Sequence, residues 1–229
     1  MYRYRMMYAK EGPAKYISHL DLIRAFERAA RRAGLPVAFT QGFNPHPKLS
    51  FAAPLAVGTS GEAEFADIEL TENIPAGVVA KSLSEVMPEG LRLIEVRMVA
   101  ESAPALMAIV DRAAYTARAV LETYPEKEAL AGAVADFWAK PEVLVERRSK
   151  TGDKRKYDIK PGILAMSARI NNDIIEIEAE LKTGSNGNIR CEELIAAFMA
   201  ESGLKARGNF VLRRRALYAA GQSEREMLW

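Results

Sequence analysis

The chain is short of the residues that build redox and metal chemistry, with one cysteine, Cys191, and two histidines, His19 and His46, among 229 residues. A single thiol forms no internal disulfide and holds neither an iron–sulfur cluster nor a structural zinc by itself. Long apolar runs are missing as well. No stretch approaches eighteen apolar residues, which excludes a transmembrane helix, and the opening MYRYRMMYAKEG has no apolar core or cleavage site of a signal peptide. Cytoplasm is the expected location. Charge of one sign is scarce: the formal net charge is +2, too little for general coating of nucleic acid. No Walker loop, GxGxxG, GxSxG, HExxH or CxxC occurs, so neither a metal nor a cofactor is expected.

What is present suffices for a globular core, with 49% hydrophobic and 27% charged residues. Tyr2–Tyr8 alternates aromatic or apolar residues with Arg3 and Arg5, the period of a half-buried strand that ends at Lys15–Ile17 after a Gly12-Pro13 turn. Ser18 followed by Asp21 reads as a helix cap, and Leu22, Ile23, Phe26, Ala29, Ala30 and Ala33 keep helical spacing up to a stop at Gly34. Strands are expected at Pro36–Gln41, Glu64–Leu70 and Leu91–Val99, with a helix from Pro75 to about Met87. The order β-α-β-β-α-β follows, and a similar pattern recurs after Pro104: a strand over Ile109–Leu121, a helix over Pro125–Ala139, a strand over Pro141–Arg148, a hairpin over Ile159–Lys182, a helix over Cys191–Glu201 and a last strand over Phe210–Tyr218. The expected class is α+β, two tandem ferredoxin-like (βαββαβ) modules with antiparallel sheets. Their spans are 1–104, with an inserted arm at 42–62, and 105–220, with a basic hairpin at 147–160, before a flexible tail at 221–229.

Three places concentrate chemistry. His19 opens the first helix and His46 follows the expected second strand; a crossover topology puts those strand ends on one sheet edge, so the two rings are expected as neighbours. They read as an acid–base pair, as metal ligands with Asp21, as contacts to an anion or RNA, or as local structure at a helix start and a loop. Asp21, Arg24, Arg28, Arg31 and Arg32 share the helix's polar face. Together with the free N–H groups of the helix start, this face suits an anion or a phosphate, and Arg24 and Arg28 are candidate nucleic-acid contacts. The arm QGFNPHPKLS is stiffened by Pro45 and Pro47 and offers Phe43, Asn44, His46 and Lys48; Phe43 either stacks on a base or plugs the core. The stretch Arg147–Lys160 carries seven basic residues, Arg147, Arg148, Lys150, Lys154, Arg155, Lys156 and Lys160, against Asp153 and Asp158, with Tyr157 among them. Basic residues interleaved with an aromatic suit a nucleic-acid backbone, or a plain solvated hairpin. On the final strand, alternation points Arg214 away from Arg213 and Arg215. Gly184–Asn188 is a turn cluster, and Cys191, at a helix start, reads as structural.

The run KYISHLDLIRAFERAARRAGLPVAFTQGFNPHPKLSFAAPLAVG, followed by EFADIEL, closely resembles the radical SAM-linked family of bacterial proteins, a domain of unknown function. Its members are fused to, or encoded beside, radical SAM proteins, often near genes for ribonuclease G and ribosomal proteins. No CxxxCxxC is present here, so the resemblance implies a radical SAM partner that brings the cluster. The expected role is a non-catalytic RNA-binding or substrate-presenting accessory protein acting with that enzyme on RNA or the ribosome. Two rivals stand beside it: a metal-independent endoribonuclease using His19 and His46, on an architecture similar to CRISPR-repeat-processing enzymes, and a pure protein–protein adaptor.

Overall fold

The computed structural model describes residues 1–123, 125–149, 152–184, 187–219 and 228–229. The chain is α+β with mostly antiparallel strands, and it forms two compact units: Met1–Asp111 together with Arg214–Trp229, and Arg112–Arg213. The first expected span ended at residue 104 and kept no C-terminal piece; here the last segment returns to the first unit.

In the first unit, β1 (Tyr2–Lys10) leads through a 3-10 turn at Gly12–Tyr16 into α1 (His19–Arg32), then β2 (Leu49–Phe51), β3 (Ser60–Leu70), α2 (Ala76–Ser84) and β4 (Leu91–Val99). Strand β1 pairs antiparallel with both β3 and β4, and β2 pairs antiparallel with β3. The capping signal is realised: the Ser18 Oγ accepts from the Asp21 N–H at 3.2 Å and donates to the Asp21 carboxylate at 2.7 Å. Helix α1 buries Leu22, Ala25, Phe26, Ala29 and Ala30, and Phe26 meets Tyr8 and Phe51 edge-on, with centroids 4.9 and 5.3 Å away. Truncating so buried an aromatic costs about 3–5 kcal/mol.

Four expectations need correction. Strand β1 stops at Lys10 rather than Ile17, because Gly12 takes a positive φ of 52° and turns the chain into the 3-10 segment. It is also not half-buried: it lies between β3 and β4, and Arg5 is only 2% exposed. Pro36–Gln41 makes only isolated bridges, Val37 to Leu70 and Phe39 to Pro47; the ladder beside β3 is taken by Leu49–Phe51, opposite Ile68–Ala66. The residues 228–229, expected in a flexible tail, are packed: Leu228 is fully buried, its carbonyl accepts from Arg5 at 2.8 Å, and Trp229 lies edge-on to Phe65.

A short α3 (Leu106–Ile109) precedes β5 (Val110–Leu121). In the second unit β5 is followed by α4 (Lys127–Ala139), β6 (Leu144–Arg148), β7 (Lys154–Asp158), β8 (Ile163–Asn171), β9 (Ile174–Lys182), α5 (Cys191–Ser202) and β10 (Ala206–Ala219), whose end belongs to the first unit. Strand β9 pairs antiparallel with β5 and β8. Strands β6 and β7 pair only with each other, as a separate two-stranded sheet, so β6 is not the sheet strand the sequence pattern suggested. Phe137 of α4 and Phe198 of α5 meet edge-on at 5.6 Å in the core.

Candidate nucleic-acid interface

The arm of the first unit is a narrow doubled-back loop. The Thr40 N–H donates to the His46 carbonyl at 2.9 Å, the Lys48 N–H donates to the Ala38 carbonyl at 2.8 Å, and the Thr40 hydroxyl accepts from the His46 N–H at 3.0 Å. Pro45 and Pro47 supply no N–H, so the tip stays outside the sheet ladder. Gly42, at φ 123°, allows the bend that carries Phe43 out of the molecule. Phe43 is fully exposed, at 107%, and so does not plug the core. Asn44 and His46 are exposed beside it, while the Lys48 ammonium is held by Glu69 at 2.9 Å.

No contact joins the two histidines among the described residues. The His19 ring packs edge-on against Phe51, the last residue of β2, with centroids 5.4 Å apart, whereas His46 precedes the first residue of that strand. The expected adjacency assumed a strand at Pro36–Gln41; with the strand at Leu49–Phe51, His46 lies before it and His19 against its end. Burial and the nearby Lys10 ammonium push the His19 imidazole pKa down. Asp21 is occupied as a cap: its bond from Ser18, then the nearby Arg24 at 3.4 Å, hold its carboxyl below the usual range. Arg28 is exposed, with no ion-pair partner among the described residues. No cluster of three or more acidic, histidine or cysteine side chains suited to a metal occurs among the described residues.

The hairpin of the second unit has two unlike faces. Directly opposed residues in an antiparallel pair share a face, and the register opposes Arg148 to Lys154, Glu146 to Lys156 and Arg147 to Arg155. On one face the Arg147 guanidinium lies 4.1 Å over the Tyr157 ring and its Nε donates to Glu193 of α5 at 2.9 Å; that bond to Glu193 raises the Arg147 pKa. This face is fastened to the body of the unit. The other face presents Arg148, Lys154 and Lys156 with Glu146, which pairs with Lys154 at 2.9 Å. Arg148, Arg155 and Lys156 are exposed and have no ion-pair partner among the described residues. Lys150, Ser185 and Asn186, named from the sequence, and residues 221–227 lie outside the described residues.

Sequence reasoning missed a buried charged cluster in the first unit. Arg214 donates to the Glu64 carboxylate, and to the carbonyls of Ala53 at 2.9 Å and Pro54 at 3.2 Å. Lys10, 1% exposed, donates to the Ile17 carbonyl at 3.1 Å, and burial followed by the Glu64 charge pushes the Tyr8 phenol up. Arg5 pairs with Asp67 through two bonds of 2.8 and 3.0 Å. The available signal was the interruption of the apolar EFADIEL run by Glu64 and Asp67. Cys191, 3% exposed, has its thiol pushed up to about 12 by burial.

Comparison with known proteins follows from this fold. No curated protein matches the chain by sequence. Among solved structures, one in a crystal structure of a Cbf5–Nop10–Gar1 complex aligns with a TM-score of 0.53 at 11% identity, covering 95% of this chain and 50% of that one. The present chain thus spans half the length of that protein, and the likeness is one of fold. A protein of unknown function from Galdieria sulphuraria aligns with a TM-score of 0.27 at 12% identity, over 93% of this chain and 98% of that one. Residues 3–191 match the family described as uncharacterized proteins conserved in bacteria (DUF2344), and the chain belongs to that family.

Proposed function

We propose that the protein is a non-catalytic RNA-binding accessory subunit that presents RNA to a radical SAM enzyme, a partner suggested by the resemblance of its sequence. The observation that carries the RNA reading is the outer face of the β6–β7 hairpin. Arg148, Lys154 and Lys156 stand there together, on a sheet fastened to α5 from its other side by Arg147. Cross-strand pairs on one face recur about every 6–7 Å along a strand, a step suited to successive phosphates. Arg148 and Lys156 make no close ion pair among the described residues, though both lie in the field of Glu146. Exposed cations of this kind release counterions on binding and so give affinity that falls with salt. The acid–base rival loses support because the His19 ring packs on Phe51 and no contact joins it to His46 among the described residues.

We also infer that each unit is a ferredoxin-like module. Counted within its own unit, the strand order is fourth-first-third-second in both, β4-β1-β3-β2 and β10-β5-β9-β8, with a helix after the first strand and another after the third. On this reading the β6–β7 hairpin is an insertion between α4 and β8.

The test is RNA affinity across a salt series for the wild type and for Arg148→Ala/Lys154→Ala/Lys156→Ala. Loss of three phosphate contacts flattens the slope of log K against log salt by about 2 for a single strand. An unchanged affinity and slope removes the hairpin from RNA binding. Purification from the native cytoplasm, with and without nuclease, then identifies the radical SAM partner or its absence.

A further inference from the structure

A cavity of about 140 Å³ opens in the first unit between α1 and the arm. Its floor is apolar, made by Phe26, Leu49 and Ile68, and its walls are Phe39 and Pro47, which the backbone bridge between them holds together. Phe39 is 47% exposed, so an aromatic face borders the mouth. Two charged residues of α1 also line it, Glu27 and Arg31. Four residues apart, they are placed to pair with each other along the helix. They do not: neither side chain has a hydrogen-bond or ion-pair partner among the described residues.

We infer that this cavity receives a single everted pyrimidine base of single-stranded RNA, with cytosine preferred over uracil; the inference rests on the RNA-binding reading above and gives it a base preference. Size selects the ring. An apolar cavity of about 150 Å³ accommodates benzene, so a six-membered base fits, and a purine, one ring larger, is the poorer match. The surroundings select a base over a plain hydrocarbon: single-stranded RNA is read by stacking on aromatic side chains and by hydrogen bonds to the exposed base edge. Glu27 supplies an acceptor and Arg31 a fork of donors, one helical turn apart. Cytosine offers its amino donor to Glu27 and its ring nitrogen and carbonyl oxygen to Arg31, whereas uracil sets a carbonyl oxygen against the Glu27 carboxylate. The loop that forms the outer wall also carries Phe43, Asn44 and His46, so the chain flanking the base meets aromatic and polar groups.

Titration of the protein with CMP, UMP and AMP, followed by calorimetry and by amide resonances of residues 26–49, tests the inference. CMP is expected to move those resonances and to bind about tenfold or more tighter than UMP, the discrimination of one good edge contact, with AMP weakest. Glu27→Gln, whose amide can donate to uracil, narrows the preference between CMP and UMP while leaving the melting temperature unchanged. Equal binding of the three nucleotides, or no movement of those resonances at millimolar CMP, overturns the inference. The triple hairpin variant separates the two readings. If it loses RNA affinity but keeps CMP selectivity, both stand. Wild-type protein that selects CMP yet binds no RNA keeps the pocket and removes the accessory RNA role; RNA bound without base preference, with CMP silent, does the reverse.

Discussion

Arg214 and Glu64 are 150 residues apart in sequence and meet as a buried ion pair, with side chains 1% and 2% exposed and the Arg214 Nε donating at 2.8 Å. Gly61 belongs to the same arrangement, because a Cβ there would come within 2.6 Å of the Glu64 Cγ. Removing one partner of such a pair strands a charge in the interior and costs about 3–5 kcal/mol, whereas an apolar replacement of both is often neutral. Arg214→Met is therefore expected to lower stability by that amount in urea unfolding, and Glu64→Leu/Arg214→Met to recover most of it. Equal losses in the single and double variants would show that the pair is not the reason.

The two faces of the β6–β7 hairpin are expected to answer mutation differently. Arg147→Ala removes the contact over Tyr157 and the bond to Glu193, so it lowers the melting temperature, by the equivalent of about 1.5–3 kcal/mol for a charged hydrogen bond. Lys156→Ala, on the exposed face, leaves melting unchanged and weakens RNA binding only. Thermal melts of the two variants beside one RNA titration settle the assignment.

His19 makes acid stability measurable. Its folded pKa lies below the ordinary value, first through burial and then through Lys10, so the unfolded chain takes up the proton at higher pH than the folded one. Stability from this group is complete above the unfolded value near 6.5 and is lost as pH falls through the folded pKa. His19→Asn should flatten the fall in stability as pH drops below about 6.5; a curve parallel to wild type excludes His19 as its source.

Cys191 should be unreactive in the folded protein. Its thiol is buried and pushed up to about 12, and only the thiolate attacks. A disulfide reagent at pH 8 is expected to label it only after denaturant is added. Rapid labelling of native protein would mean that α5 opens at its first turn.

How much of this was legible in the sequence depended on whether the signal was local. The Ser18–Asp21 cap and the Leu22/Phe26/Ala29 stripe of α1 were read correctly because both are set within a turn or two of helix. So was the opposite orientation of Arg214 from its two neighbours, which follows from the two-residue period of a strand. Strand β4 shows where period alone fails: its pairing with β1 steps from Met7–Glu95 to Tyr8–Leu93, skipping Ile94. The bulge moves the buried side from Leu91 and Leu93 to Val96, against the simple alternation. The replacement of Pro36–Gln41 by Leu49–Phe51 was hidden for a different reason. Both segments carry strand-like residues, and the choice is made by β3, a partner distant in sequence. Of the charged cluster around Glu64 only the acidic break in the EFADIEL run was visible; its pairing was out of reach for the same reason, since Arg214 lies on the last strand. The hairpin cations were visible as composition, but their division into an anchored and an open face appears only with the register.

The closing of the first unit by Arg214–Trp229 has a consequence in time. A ribosome adds about 5–20 residues per second, so Glu64 emerges on the order of ten seconds before the arginine that neutralises it. Until then the nascent first unit has the Glu64 carboxylate near Lys10 but without the guanidinium that hydrogen-bonds to it, and its native packing waits for the last strand to be made. The two units are thus bound to one synthetic event, and a stalled or shortened translation product leaves neither the buried pair nor a complete first unit behind.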